Sequence, residues 1–287
     1  MNILNTSAEM LNAFDSECFD IERWKAYINR SVPGAGELCL NDLREMLNTG
    51  LSWQNDILPV LNSVVRDPVR REKAISSFCH ITEHLDRKII ERFHRTVDVD
   101  IILCLGLCNG AGWVTSVNGK RTVLLGIEKI IELDWCNPDA MAGLIIHELG
   151  HVYQDQYGVL HRKLESASDQ FLWQLFTEGI AMVFEQEIVG DLNYFHQDKH
   201  GWKQWCDEHA ALIRQSFGND MKSMTRENQR YFGDWVSFEG YGDTGYYLGA
   251  RFGRFLLEYD TFDHIILYSI QEVENGFDRF RIQPSIC

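Results

Sequence analysis

One segment, from Asn137 to Gly158, constrains the fold more than any other part of the chain. Asn137 can cap a helix, and Pro138 fits the first helical turn, where no backbone N–H is needed. Gly158 is a typical residue for ending such a helix. The sequence between these ends predicts a helix on which His147 and His151, four residues apart, lie on the same face.

Two imidazoles on one helix face can bind a single metal ion, and the residues between them indicate what such a site could do. The sequence there reads His-Glu-Leu-Gly-His from 147 to 151. Glu148 follows His147 directly, so it lies about 100° around the helix and flanks the metal without having to bind it. Its carboxylate can take a proton from a water molecule on the metal. We therefore predict that His147 and His151 are metal ligands and that Glu148 is a general base.

A catalytic metal site of this kind needs a third protein ligand, and the next long helix contains a candidate. Ser166 can cap this helix, which is largely apolar and is expected to end near Gly190. Glu178 lies among its apolar residues, where a carboxylate is costly to bury unless it meets a cation or a metal. Gly179, beside it, permits close packing of another helix. Glu185 and Glu187 are nearer the end of the helix and are expected to be solvated. Other possible ligands have more polar surroundings, namely Asp155, His161, Glu165 and Asp169.

Together, the two segments resemble the gluzincin zinc metallopeptidases, in which a His-Glu-x-x-His helix is followed by a helix with a Glu-Gly pair. The second segment here reads Thr-Glu-Gly-Ile-Ala from 177 to 181. The resemblance implies zinc as the cofactor, a zincin-like fold and hydrolysis of peptide bonds in a peptide or protein substrate. It matches His147, His151 and Glu178 to the zinc ligands and Glu148 to the general base.

A further element, Gly-Tyr-Tyr-Leu-Gly from 245 to 249, resembles the downstream tyrosine segment of predicted bacterial zinc-dependent proteases of the gluzincin type. It implies that a tyrosine faces the metal and stabilises the oxyanion formed during hydrolysis. Tyr246 occupies the matching position, with Tyr247 and Tyr241 as alternatives. The whole resemblance covers roughly residues 95–260.

Strand signals lie between helical regions. Asn118-Gly119 supplies the positive φ angles of a type I′ turn and predicts a β-hairpin, while residues 97–108 form an apolar run that predicts a buried strand. The predicted class is α+β: a zincin-like metallopeptidase fold with a small, mostly antiparallel sheet, an active-site helix and a glutamate helix. We assign residues 1–75 to an N-terminal helical region and 76–287 to the metallopeptidase domain. An extended peptide could lie beside an exposed strand near residues 110–113.

The first 95 or so residues are expected to be helical, because apolar residues recur in them at spacings of three and four. The longest of these stretches runs from Arg70 to His94. Its apolar positions form one stripe, which predicts a single amphipathic helix.

Composition narrows the range of partners. Lys and Arg number 27 against 42 Asp and Glu among 287 residues, which gives a net charge of −15. That charge argues against binding to nucleic acid or to an anionic membrane. No apolar stretch approaches the length of a membrane span, and the first residues lack the pattern of a secretory signal. We therefore expect a cytoplasmic protein whose eight cysteines are mostly reduced, in an oligomeric state that the sequence does not indicate.

Two other functions compete with a peptidase. In a deformylase-like zinc amidohydrolase, an upstream cysteine is the third ligand, and Cys104 lies at a comparable interval before His147. The residues around Cys104, however, differ from the pattern of that family. The second alternative is a non-catalytic scaffold that keeps the zinc site and binds a partner.

Overall fold

The computed structural model describes residues 1–233 and 235–283. The chain is α+β, with many helices and a small sheet. It divides into two compact units, Met1–Glu148 and Leu149–Cys287. The division falls within one continuous helix, the helix that carries both histidines of the His-Glu-Leu-Gly-His motif.

The first unit contains all the named strands, which are β1 (Asn2–Asn5), β2 (Phe14–Asp15), β3 (Cys18–Phe19), β4 (Asp100–Cys104), β5 (Gly112–Val117) and β6 (Lys120–Gly126). Its helices are α1 (Ser7–Met10), α2 (Ile21–Ser31), α3 (Ala35–Asn48), α4 (Leu58–Arg66), α5 (Pro68–Thr82), α6 (Leu85–Phe93), α7 (Ile127–Glu132) and the first part of α8 (Pro138–Tyr157). The second unit contains the rest of α8 and the helices α9 (Ala167–Val189), α10 (Trp202–Glu208), α11 (Ala210–Asp220), α12 (Thr244–Leu257), α13 (Phe262–Ile265) and α14 (Ile270–Ile282).

The larger sheet has the strand order β1-β4-β6-β5. β1 pairs with β4, and β4 with β6, in parallel, whereas β5 pairs with β6 antiparallel. The prediction of a mostly antiparallel sheet is therefore wrong. With β1 included, two of the three strand pairs in this sheet are parallel. The four residues of β1 include just two apolar side chains and give no strand signal of their own. This strand lies in the region predicted to be helical.

The predicted hairpin is confirmed as β5 and β6. Asn118 and Gly119 connect the two strands with φ angles of 52° and 79°, both in the left-handed region that a type I′ turn requires. The Asn118 side chain also donates a hydrogen bond of 2.7 Å to the backbone oxygen of Pro33. Because β5 ends the strand order, its outer side forms one edge of the sheet.

The single helix predicted from Arg70 to His94 is in fact two helices, α5 and α6, separated at Glu83 and His84. His84 has φ −126°, which is outside the helical range. The apolar spacing runs on across this break, and for that reason the sequence pattern did not reveal it. The predicted domain boundary after residue 75 stays a prediction.

The structure bears on two predictions, the reduced state of the cysteines and the absence of a membrane span. The cysteines at 18, 39, 79, 104, 108, 136 and 206 are free thiols, and Cys287 lies outside the described residues. In the part of the chain that the structure describes, no helix has the length and apolar character needed to cross a membrane. The cytoplasmic location stays a prediction.

Candidate metal centre

The helix that carries the histidines forms where the sequence predicts it. The Asn137 side chain accepts a hydrogen bond of 2.9 Å from the backbone N–H of Ala140, so it caps α8 as expected. The helix ends at Tyr157, immediately before Gly158. His147 and His151 lie one turn apart on it, and both side chains are therefore presented on one face.

The helix that carries Glu178 is also confirmed. Ser166 caps α9 by accepting a hydrogen bond of 3.0 Å from the backbone N–H of Asp169. At the other end, Gly190 has φ 82°, the left-handed conformation in which glycine commonly ends a helix. Glu178 lies in the middle of α9, as predicted.

His147, His151 and Glu178 come together. Each offers one ligand atom, and these atoms all lie within 4.8 Å of one another. His151 Nε2 lies 3.2 Å from Glu178 Oε2. Two atoms that each lie about 2.0–2.2 Å from one zinc ion are separated by at most about 4.4 Å, so small side-chain adjustments suffice to hold a metal. No protein-family model, curated protein or solved structure matches this chain.

The other possible ligands are not in this group. Elsewhere in residues 1–233 and 235–283, no set of three or more His, Cys, Asp or Glu side chains lies as close together. Cys104, the ligand that a deformylase-like site would use, is fully buried in β4. Burial raises the pKa of its thiol well above the usual range, which opposes formation of the thiolate that binds metals.

The three residues of the cluster are buried to different degrees. His147 is 4% exposed, whereas the side chains of His151 and Glu178 are 14% and 16% exposed. Two imidazoles and a carboxylate are a ligand set of catalytic zinc sites, which keep one position for water or substrate. The donor types and the partial exposure both fit a site of that kind.

Glu148 lies outside the ligand group and against the start of β5. A Cβ atom on Gly112 would lie 2.9 Å from Glu148 Cγ and 3.2 Å from Glu148 Oε1. A side chain at this position would displace the side chain of Glu148, so the glycine lets the edge strand come directly alongside the carboxylate. Residues 110–113 were expected near this edge, and Gly112 does lie there. No local sequence signal, however, indicates its position against Glu148.

Glycines bring the backbones of α9 and α12 together beside Glu178. A Cβ atom on Gly179 would overlap the backbone oxygen of Gly249 and lie 2.6 Å from its carbonyl carbon. Gly253, one turn later, packs on Val183. The expectation that Gly179 permits close helix packing is confirmed. The Gly-Tyr-Tyr-Leu-Gly element supplies the other side of this contact, and the spacing of its glycines by four is the signal that could have indicated it.

We expect Gly179→Ala to destabilise the second unit despite the higher helix propensity of alanine. The added methyl group meets backbone atoms of Gly249, which cannot rotate away, and overpacking of this kind costs about 1–3 kcal/mol. Chemical unfolding measures the effect. Gly242→Ala is the control, because a Cβ atom there would meet just one atom, at 3.5 Å. Equal stability of Gly179→Ala and the wild type would mean that the helices are not in contact at this point.

The three candidate tyrosines have different surroundings. The hydroxyl of Tyr247 donates a hydrogen bond of 2.8 Å to Asp207, and its side chain is 1% exposed. Tyr241 stacks on Trp205 with ring centroids 4.1 Å apart. Tyr246 packs edge-on against Phe232 and precedes Gly249 by three residues, so it lies toward the face of α12 that contacts α9. Its role at the metal stays a prediction.

Glu185, a second carboxylate on α9, was expected to be solvated because it lies nearer the end of the helix, and that expectation is wrong. Glu185 is fully buried, and both of its oxygens lie 3.0 Å from His196 Nδ1. It follows Glu178 by seven residues and therefore lies on nearly the same face of the helix. The spacing of seven is the signal that could have indicated a buried position.

Proposed function

We propose that this chain is a zinc-dependent peptidase of the gluzincin type. The observation that carries the proposal is the convergence of the His147, His151 and Glu178 ligand atoms within 4.8 Å, with Glu148 beside them on α8 and outside the group. Imidazole and carboxylate donors in this combination suit zinc and leave an open position for catalysis.

Each residue has a distinct part in the proposed reaction. His147, His151 and Glu178 would hold the zinc ion, which would polarise the carbonyl group of the substrate and lower the pKa of a water molecule. Glu148 would take a proton as the water attacks and pass it to the amine of the leaving product. Glu148 is 8% exposed and lies close to Leu144 and Gly112, so few bulk water molecules can reach its carboxylate and compete for the proton.

The edge strand favours a peptide substrate. β5 pairs with β6 on one side, and its other side is the edge of the sheet, where an extended peptide can add as a further strand. Such a peptide would run past Gly112 and so bring a peptide bond close to Glu148. The strong negative charge supports a peptide or protein substrate over nucleic acid or an anionic membrane surface.

Metal analysis and a cleavage assay together test the proposal. We expect about one zinc ion per chain in the purified protein. We also expect cleavage of a mixed peptide library that stops on chelation and returns when zinc is added. Protein that contains zinc but cleaves no peptide favours the alternative of a non-catalytic, zinc-binding scaffold. Cleavage confined to N-formylmethionyl peptides, with release of formate, favours the deformylase-like alternative. Protein that neither contains nor takes up zinc contradicts the proposal.

Among the tyrosines, we expect Tyr246→Phe to reduce kcat with unchanged zinc content, because removal of one oxyanion donor costs about 10²–10³-fold. Tyr247→Phe should leave kcat unchanged and lower stability by about 1 kcal/mol, since its hydroxyl is bonded to Asp207. Steady-state kinetics and chemical unfolding on both variants measure the two effects. A loss of kcat in Tyr247→Phe alone would reverse the assignment.

A further inference from the structure

A buried carboxylate holds the loop that leads into β5. Glu128, in the first turn of α7, is fully buried, and its Oε1 atom accepts hydrogen bonds of 2.9 Å from the backbone N–H groups of Gly106 and Cys108. Its Oε2 atom has no hydrogen-bond partner among the described residues. Burying a carboxylate with one oxygen that makes no hydrogen bond is costly in free energy. Such a group therefore indicates that the fold requires the hydrogen bonds made by the other oxygen.

The loop held by Glu128 has an unusual backbone. Leu107 and Cys108 have φ angles of 58° and 63°, in the left-handed region that residues other than glycine seldom adopt. Two such residues in succession cost conformational energy, and the surrounding structure has to maintain them. The two hydrogen bonds to Glu128 bracket Leu107 and so stabilise this conformation.

The same loop positions the edge strand beside Glu148. After Cys108, the chain passes Ala111, whose backbone oxygen accepts a hydrogen bond of 3.0 Å from the N–H of Gly126, and enters β5 at Gly112. Gly112 is the residue that lies against Glu148. Glu128 is thus connected to the general base through a few residues of backbone, all within the first unit.

The surroundings of Glu128 allow its charge to change near neutral pH. Burial raises the pKa of its carboxyl group to about 7, although the backbone N–H groups and Lys129 act in the opposite direction. The other titratable groups around it are Tyr27 on α2, Cys39 on α3, Cys104 on β4 and Cys108 in the loop. Burial raises the pKa of each, so they stay neutral while Glu128 titrates.

We propose that Glu128 is a positioning residue for the peptide-binding edge of β5, because its carboxylate fixes the loop from Gly106 to Cys108 and thereby sets Gly112 beside Glu148. This inference rests on the proposed function. Loss of the negative charge replaces charge-assisted hydrogen bonds by weaker ones, so the loop is held less firmly as the pH falls below neutrality.

Backbone amide resonances of the full chain test this inference without an activity assay. We expect the amide signals of Gly106, Cys108 and Gly112 to shift with pH around a common midpoint near 7. Glu128→Gln keeps an acceptor oxygen but cannot titrate, and it should abolish these shifts. Glu132→Gln, an exposed position on the same helix, is the matched control. It should retain the shifts with a lower midpoint, because loss of the ion pair between Lys129 and Glu132 strengthens the effect of the Lys129 charge on Glu128. Absence of the shifts in the wild type, their persistence in Glu128→Gln, or a static Gly112 signal overturns the inference.

Kinetics then connect the loop to the reaction. With zinc content unchanged, Glu128→Gln should lower kcat/KM for peptides by about ten- to a hundredfold, the scale expected for a small misplacement of substrate. In the wild type, kcat/KM should also fall with the midpoint of the amide shifts as Glu128 is protonated. This component should be absent from the pH profile of Glu128→Gln, whereas the ionisation of a water molecule at the metal would remain in both proteins. A wild type that cleaves no peptide contradicts the proposed function while the amide measurements still report on the loop. Unchanged kcat/KM and pH profile in Glu128→Gln, with an active wild type, overturn the positioning role.

Discussion

Replacing Glu148 by glutamine is expected to abolish most peptide hydrolysis while zinc binding and folding are retained. Glutamine keeps the shape of the side chain next to Gly112, but it cannot accept a proton from the attacking water. Loss of a positioned general base costs about 10²–10⁴-fold in rate. Because Glu148 is outside the group of ligand atoms, the variant should contain as much zinc as the wild type. Comparison of kcat/KM on one peptide, with zinc measured in both proteins, gives the result.

Asp155→Asn is the matched control for this experiment. Asp155 lies on α8 seven residues after Glu148, close to the same face of the helix, and its substitution also removes one carboxylate charge. It was an alternative metal ligand, so retention of zinc and activity in Asp155→Asn also excludes that role. Equal cleavage by Glu148→Gln and the wild type would place the activity at another site. Loss of zinc in Glu148→Gln would give Glu148 a structural role.

The helices of the site could be predicted because their signals are local. Asn137 and Ser166 cap α8 and α9, and Gly158 and Gly190 follow the last helical residues. The spacing of the two histidines then determines their common face without any knowledge of the tertiary structure. Glu178 could be selected because a carboxylate is costly to bury in an apolar helix unless a cation is nearby. That argument implies a cation but does not say where the cation lies.

The direction of the sheet could not be predicted, because parallel pairing joins segments that are distant in sequence. Strand β1 pairs with β4 across nearly one hundred residues, and its four residues carry no local strand pattern. The contact of Gly112 with Glu148 is of the same kind, since both residues are unremarkable until the fold brings them together. The hydrogen bonds from Gly106 and Cys108 to Glu128 could not be predicted either, because they depend on the conformation of the loop around this carboxylate.

Removal of a ligand is the second large effect that we expect. His147→Ala, His151→Ala and Glu178→Ala should each lose zinc and, with it, peptide hydrolysis. Loss of groups that merely orient zinc ligands lowers affinity by about 10–100-fold, and loss of a ligand should cost more. Metal binding to the folded chain also stabilises it, by about 4 kcal/mol at a thousand times Kd. Zinc should therefore raise the Tm of the metal-stripped wild type and have little effect on the variants.

The set of variants distinguishes a three-ligand site from its alternatives. His161→Ala is the matched control, since His161 was a possible ligand that lies outside the group; it should bind zinc like the wild type. If Glu178→Ala retains full zinc occupancy while both histidine variants lose it, the third ligand is another residue, and Cys104→Ser then tests the deformylase-like arrangement. If all three variants retain zinc, the metal is bound elsewhere and the proposed function loses its basis.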